Sequence, residues 1–121
     1  MSLTAQCHCG AVEVEVGSTP PWVLECRCSI CRKLGVLWAY HPPGEVRISG
    51  RTDTYVCNNR VIEFHRCRTC GCTTHWATLG TDYGRMGVNA RLFDPDVLSA
   101  IELRSVPGPS PAVFKDDWQA S

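Results

Sequence analysis

The chain has no excess of charge, no long apolar run, no internal repeat and no low-complexity block. Lys plus Arg and Asp plus Glu both total 12, so the formal net charge is zero with the histidines neutral. That balance lacks the basic surface that a nucleic-acid binder needs. The apolar runs are far shorter than the ~20 residues of a bilayer-spanning helix, so no membrane segment is expected. The opening Met1-Ser2-Leu3-Thr4 has neither a basic stretch nor an apolar core, so no secretory signal is expected and a cytoplasmic location is the default. With no linker between domains, the 121 residues fit a single domain whose core is modest, and metal crosslinks would add useful stability.

What the chain does have is cysteine. Seven of its nine fall into three tight clusters: Cys7-His8-Cys9-Gly10, Cys26-Arg27-Cys28-Ser29-Ile30-Cys31 and Cys67-Arg68-Thr69-Cys70-Gly71. Thiolates one or three residues apart can bind one metal ion, because a short turn brings both sulfurs to the same side of the backbone. Four sulfurs make a closed tetrahedral zinc site, whereas three leave a position for substrate. Seven clustered cysteines therefore suggest four plus three. An odd cysteine count, no secretory signal and such close spacing argue against a disulfide framework. Arg27, Arg32 and Lys33 beside the central cluster, and Arg66 and Arg68 beside the last, can offset the thiolate charge.

Short strands at close intervals predict a small all-β domain. Gly10 to Gly17 reads as a strand with Val12, Val14 and Val16 on one face and Glu13 and Glu15 on the other. Trp22-Val23-Leu24 leads into the central cluster, where Ser29 is expected to cap a brief helical turn that Gly35 ends. Further strands are expected at 36–41, 45–49, 54–57, 61–66, 73–79, 85–89 and 101–106, with a turn at Asn58-Asn59. A short helix is expected from the Asp94-Pro95 start to about Ala100. The domain spans 1–106. Residues 107–121 form a proline-rich tail in which Val113, Phe114 and Trp118 are apolar enough to dock.

Spacing alone leaves two ways to share the sulfurs. One joins Cys28 and Cys31 to Cys67 and Cys70 in a zinc-ribbon-like site, stranding Cys7, Cys9 and Cys26. The other joins Cys7 and Cys9 to Cys67 and Cys70 and leaves Cys26, Cys28 and Cys31 as a three-thiolate site. The ordered motifs C-x-C-G, C-x-C-S-x-C-R-K and C-x-x-C-G resemble those of the glutathione-dependent formaldehyde-activating (GFA-like) family, from about Gln6 to Val106. Trp38 and Gly87-Val88-Asn89-Ala90-Arg91 fit the same pattern. The resemblance implies a β-tent of twisted antiparallel sheets organised around zinc, and two zinc ions. Cys7, Cys9, Cys67 and Cys70 would hold a structural ion, and Cys26, Cys28 and Cys31 a catalytic one. It further implies a carbon–sulfur lyase or synthase, of the S-(hydroxymethyl)glutathione synthase kind, that joins glutathione to a small aldehyde. The readings kept beside it are a structural zinc module that grips a protein partner and a thiol redox or metal-handling protein.

Other residues carry weaker expectations. Arg27, Arg32 and Lys33 are candidates for the carboxylates of glutathione. Trp38 is expected to be packing, Tyr40 is a candidate pocket residue, and His41, just before two prolines, is expected at the surface. His8 reads as a spacer, and His65 as a neighbour of the structural zinc. His75 and Trp76 read as structural. Cys57 is expected to be a buried free thiol. Cys72 is expected to be turned away from the metal by Gly71, and Tyr83 is a weak pocket candidate. Neither the oligomeric state nor the aldehyde is legible in the sequence.

Overall fold

The computed structural model describes residues 2–56, 61–80 and 84–106. Cys57, the Asn58-Asn59 turn, Tyr83 and the tail from residue 107 lie outside the described residues. Ten strands and two short helices follow one another among those described. β1 (Leu3–Gln6), β2 (Glu13–Val16) and β3 (Trp22–Cys26) lead to α1 (Ser29–Leu34). β4 (Trp38–His41), β5 (Val46–Ser49), β6 (Thr52–Val56), β7 (Ile62–Cys67), β8 (Thr73–Thr78) and β9 (Met86–Asn89) come next. α2 (Pro95–Ser99) and β10 (Glu102–Val106) close the described chain.

The strands form two sheets, in the orders β1-β2-β5 and β10-β3-β4-β9-β8-β7-β6. The fold is mainly β with only short helices, as the strand pattern predicts. One pairing departs from the antiparallel expectation: β10 lies parallel to β3, with Glu102 opposite Trp22 and Val106 opposite Cys26. β1, which no sequence signal singled out, pairs antiparallel with β2 from Leu3↔Val16 to Gln6↔Glu13. It is only four residues long with one buried side chain, Ala5, and such a segment carries little periodicity.

Alternation along the strands sorts the core into layers. Val12, Val14 and Val16 are fully buried while Glu13 and Glu15 stay partly exposed. Val14 and Val16 pack with Val23, Ala39 and Val88, contributed by the larger sheet. Leu24, Trp38, Phe64 and Trp76 belong to a second cluster, which also contains Cys26, Cys28 and Cys31. A third and smaller cluster holds Cys7, Val12 and Cys67. Each cysteine group is thus built into apolar packing, and fully burying a valine there is worth roughly 1.5–3 kcal/mol.

Two local expectations need correcting. Cys28, not Ser29, is the residue before the first turn of α1; it is extended (φ −62°, ψ 161°) and makes no side-chain cap. The chain leaves β3 extended through Cys28, so the helix begins at Ser29 itself, one residue earlier than a Ser29 cap requires. Gly35 does end the helix, in the left-handed region at φ 70°, where its N–H reaches the Cys31 carbonyl at 3.0 Å. His41 is buried, at 3 % exposure, rather than at the surface. β4 lies between β3 and β9 inside the seven-stranded sheet, and both of its faces are packed before Pro42 stops it, Trp38 and Tyr40 against one core cluster and Ala39 in another. Burial holds the His41 imidazole below its usual pKa, against a smaller pull from Glu45.

The Gly87–Arg91 segment does structural work. Asn89 Oδ1 accepts from the Leu37 N–H (3.4 Å) and the Arg91 N–H (3.1 Å), and its Nδ2 donates to the Thr73 carbonyl (2.8 Å). One amide thereby ties the approach to β4, the start of β8 and the turn after β9. Gly87 sits opposite Trp76, and a Cβ there would lie 2.0 Å from the indole Nε1. Gly87→Ala should therefore lower unfolding stability by about 1–3 kcal/mol through overpacking. Denaturant midpoints at fixed zinc check this, and an unchanged midpoint would contradict the close approach.

Candidate metal centres

The C-x-C-G loop after β1 and the C-x-x-C-G loop after β7 are both tight turns that aim backbone donors at sulfur. In the first, the Cys7 N–H donates to the Val12 carbonyl (3.0 Å), Gly10 N–H returns to the Cys7 carbonyl (3.1 Å), and Val12 N–H donates to Cys7 Sγ (3.3 Å). In the second, the N–H groups of Thr69 and Cys70 donate to Cys67 Sγ at 3.3 and 3.4 Å. Such N–H···S contacts favour the thiolate.

The sulfurs of Cys7, Cys9, Cys67 and Cys70 all lie within 4.8 Å of one another, and so do those of Cys26, Cys28 and Cys31. The zinc-ribbon alternative, which would join Cys28 and Cys31 to the late pair, is not the grouping observed. Within the quartet, Cys7 Sγ is 3.7 Å from Cys9 Sγ, and Cys9 Sγ is 3.6 Å from Cys67 Sγ. A tetrahedral zinc with Zn–S bonds of ~2.3 Å sets its sulfurs about 3.8 Å apart, so the donor set and its spacing fit that ion. Both groups can hold a metal, and their all-sulfur composition is consistent with zinc.

The trio is assembled at a strand-to-helix junction. Cys26 ends β3, Cys28 precedes α1, and Cys31 sits in the first turn of the helix. All three are buried. The Trp38 indole Nε1–H donates to Cys31 Sγ at 3.3 Å. Trp38 is therefore more than the packing residue expected from the sequence, although it is also packed against Phe64 with ring centroids 6.1 Å apart.

Without a cation the trio cannot ionise fully. The Cys26 and Cys31 thiols donate to the Cys28 sulfur, with help from the N–H groups of Cys31 and Ile30, and pull Cys28 down to about 3. Its hydrogen bond to Cys28 in turn pushes Cys26 up to about 11, with burial and the Cys28 charge adding to the effect. Contacts with Cys26 and then Cys28 raise Cys31 as well, with burial adding to the effect. In the quartet, the N–H groups of Cys72 and Cys9 lower Cys70 to about 5, and that of Cys70 lowers Cys67. For Cys9 the Ala11 N–H works the other way, but burial and the Cys67, Cys7 and Cys70 thiols push it up to about 11.

Several expected neighbours are placed differently. Cys72 is not turned clear of the quartet by Gly71: it packs against the cluster of Cys7, Val12 and Cys67, its thiol interacts with that of Cys70, and its N–H lies beside that sulfur. It nevertheless stands outside the four-sulfur group. His65 has both ring nitrogens engaged, Nδ1 with Thr52 Oγ1 (2.7 Å) and Nε2 with Glu63 Oε1 (3.0 Å), so neither serves a sulfur. It stacks on His75 at 4.2 Å, and burial, then the neighbouring His65, hold His75 down to about 3. His8 is exposed and outside both groups, as a spacer should be.

Arg32 and Lys33 are exposed on the last turn of α1, while Arg27 pairs with Glu25 at 3.5 Å and Arg68 with Asp53 at 2.9 Å. Tyr40 packs against the cluster that holds the trio, edge-on to Trp22 (5.7 Å) and Trp76 (6.0 Å). Arg85, which the sequence reading left as an ordinary strand residue, is nearly buried with its guanidinium 4.6 Å above the Tyr40 ring. No motif marks it, because a cation over an aromatic ring is a tertiary contact.

Metal uptake should consequently release protons. At pH 7 the trio carries one thiolate, on Cys28, so filling it should release about two protons per ion, and its affinity should rise about 100-fold per pH unit until Cys26 ionises near 11. Zinc titration in weak buffer, with the quartet already filled, measures this. Release of no protons would contradict the shared-charge arrangement.

The fold and the sequence can be set beside known proteins. A crystal structure of a Rhodobacter sphaeroides protein is similar at 29 % identity and a TM-score of 0.69, over 84 % of this chain and 99 % of that one. The family model described as "Glutathione-dependent formaldehyde-activating enzyme" matches residues 2–102, and the chain belongs to that GFA family.

Proposed function

We propose that this protein is a zinc-dependent carbon–sulfur lyase or synthase that joins glutathione to a small aldehyde at Cys26, Cys28 and Cys31. The observation that carries the reading is the incomplete donor set. Three sulfurs converge within 4.8 Å, and no fourth His, Cys, Asp or Glu joins them among the described residues. The quartet of Cys7, Cys9, Cys67 and Cys70 is the closed counterpart, holding a second, structural zinc that pins β1 to the β7–β8 turn. Residues 1–106 form the working domain.

When bound at the trio, zinc supplies an open coordination position at which a thiol is ionised. The chain's own residues supply the rest. Cys26, Cys28 and Cys31 hold the ion on a rigid strand-to-helix junction. Arg32 and Lys33, exposed immediately after the trio, offer cations to the carboxylates of glutathione. Trp22 and Tyr40, packed against the cluster that holds the trio, give it an aromatic wall backed by the buried Trp76, and placing thiol and aldehyde beside it accelerates their addition chiefly by proximity. Free thiols in this number suit a reducing compartment, which supports a cytoplasmic location. No helix among the described residues is long and apolar enough to cross a membrane.

Two measurements test the proposal. Metal analysis should find two zinc ions, one of them lost readily to a chelator because only three sulfurs hold it; two ions of equal tenacity would count against an open site. NMR exchange with glutathione and formaldehyde should show faster adduct interconversion with the protein than without. Cys28→Ser should return the rate to the uncatalysed value, and an equal rate in both proteins would remove the activity.

A further inference from the structure

The indole of Trp38 is held in one place by its surroundings. Its backbone is paired on both sides, opposite Leu24 of β3 and Asn89 of β9, and its side chain is 2 % exposed. An indole N–H is a donor only, and a buried donor must find an acceptor. Here the acceptor is Cys31 Sγ at 3.3 Å. In the quartet, by contrast, Cys7 and Cys67 receive backbone N–H groups, which side-chain substitutions other than proline leave in place.

We infer that Trp38 is a positioning residue for the trio, its indole N–H drawing charge from the Cys31 thiolate so that a metal held by three thiolates still accepts a substrate sulfur. The inference rests on the trio being the metal-holding, substrate-binding centre proposed above. Three thiolates on a divalent ion leave a net charge of minus one, and strong sulfur donation weakens the ion's appetite for a fourth ligand. A hydrogen bond to one sulfur lowers the energy of its lone pair and reduces that donation. It also makes Cys31 less nucleophilic than a bare thiolate, protecting the site from alkylation. Partners of this kind, one bond beyond the metal ligands, commonly change metal affinity or activity by about 10- to 100-fold when removed.

The test uses the full chain with zinc in the quartet and cobalt(II) in the trio. Trp38→Phe keeps an aromatic ring and removes the donor. A second variant carries benzothienylalanine at position 38, matching the indole in shape without its N–H, in case the smaller ring disturbs folding. In both, the sulfur-to-cobalt charge-transfer bands should move to lower energy, and methyl iodide should alkylate Cys31 roughly three- to tenfold faster by mass spectrometry. Phe93→Leu, an aromatic truncation in the core cluster that holds no member of the trio, should leave both readouts in place. Bands and alkylation rates unchanged from the wild type in both position-38 variants would overturn the role of Trp38. If the bands shift as described but the wild-type protein does not accelerate adduct exchange, the reaction falls and the role of Trp38 stands.

Discussion

Like charges packed at sulfur–sulfur contact distance repel, and two groups of thiols in this fold are held at that distance by the backbone. Each group must either stay largely protonated or enclose a cation. The trio shows the first condition in its own thiols, where Cys28 takes the single charge and Cys26 and Cys31 give up theirs. Both the chemistry of the site and the stability of the loops that form it follow from which condition holds, since a metal that binds only the folded arrangement contributes its binding energy to folding.

The two groups are set on different kinds of support. The quartet joins two loops that lie 58 residues apart in sequence at the Cys9–Cys67 contact, so an ion there closes a long chain loop. The trio is local, drawn from six consecutive residues where β3 turns into α1, and it gains little by loop closure. Its environment is correspondingly more elaborate: a cluster of Leu24, Trp38, Phe64 and Trp76 around it, Tyr40 and Arg85 stacked nearby, and an indole N–H on one of its sulfurs. Polar groups excluded from water interact more strongly, so these contacts bear directly on the charge that the trio's sulfurs carry.

Much of the architecture was legible because strand alternation is a local property. The Val12-Val14-Val16 face, the turn ended by Gly35 and the Asp94 cap, whose carboxylate accepts from the Asp96 N–H at 2.9 Å, all depend on neighbours within a few residues. β1 was missed because four residues with one buried alanine are too few to show a period. His41 was misplaced because its burial depends on what packs over the faces of β4, not on the prolines that follow it.

The cysteine spacing by itself determined that the clustered thiols could share metal ions, since paired thiols in short turns have few other uses in a chain without a disulfide pattern. It could not determine which pairs combine, because any two turns can satisfy tetrahedral geometry until the strands bring particular turns together. Tertiary structure decided that grouping by docking the β1–β2 loop onto the β7–β8 turn. Tertiary structure also decided the contacts of Trp38, Arg85 and Cys72, because each depends on an approach between segments that are separate along the chain or on the exact path of a turn.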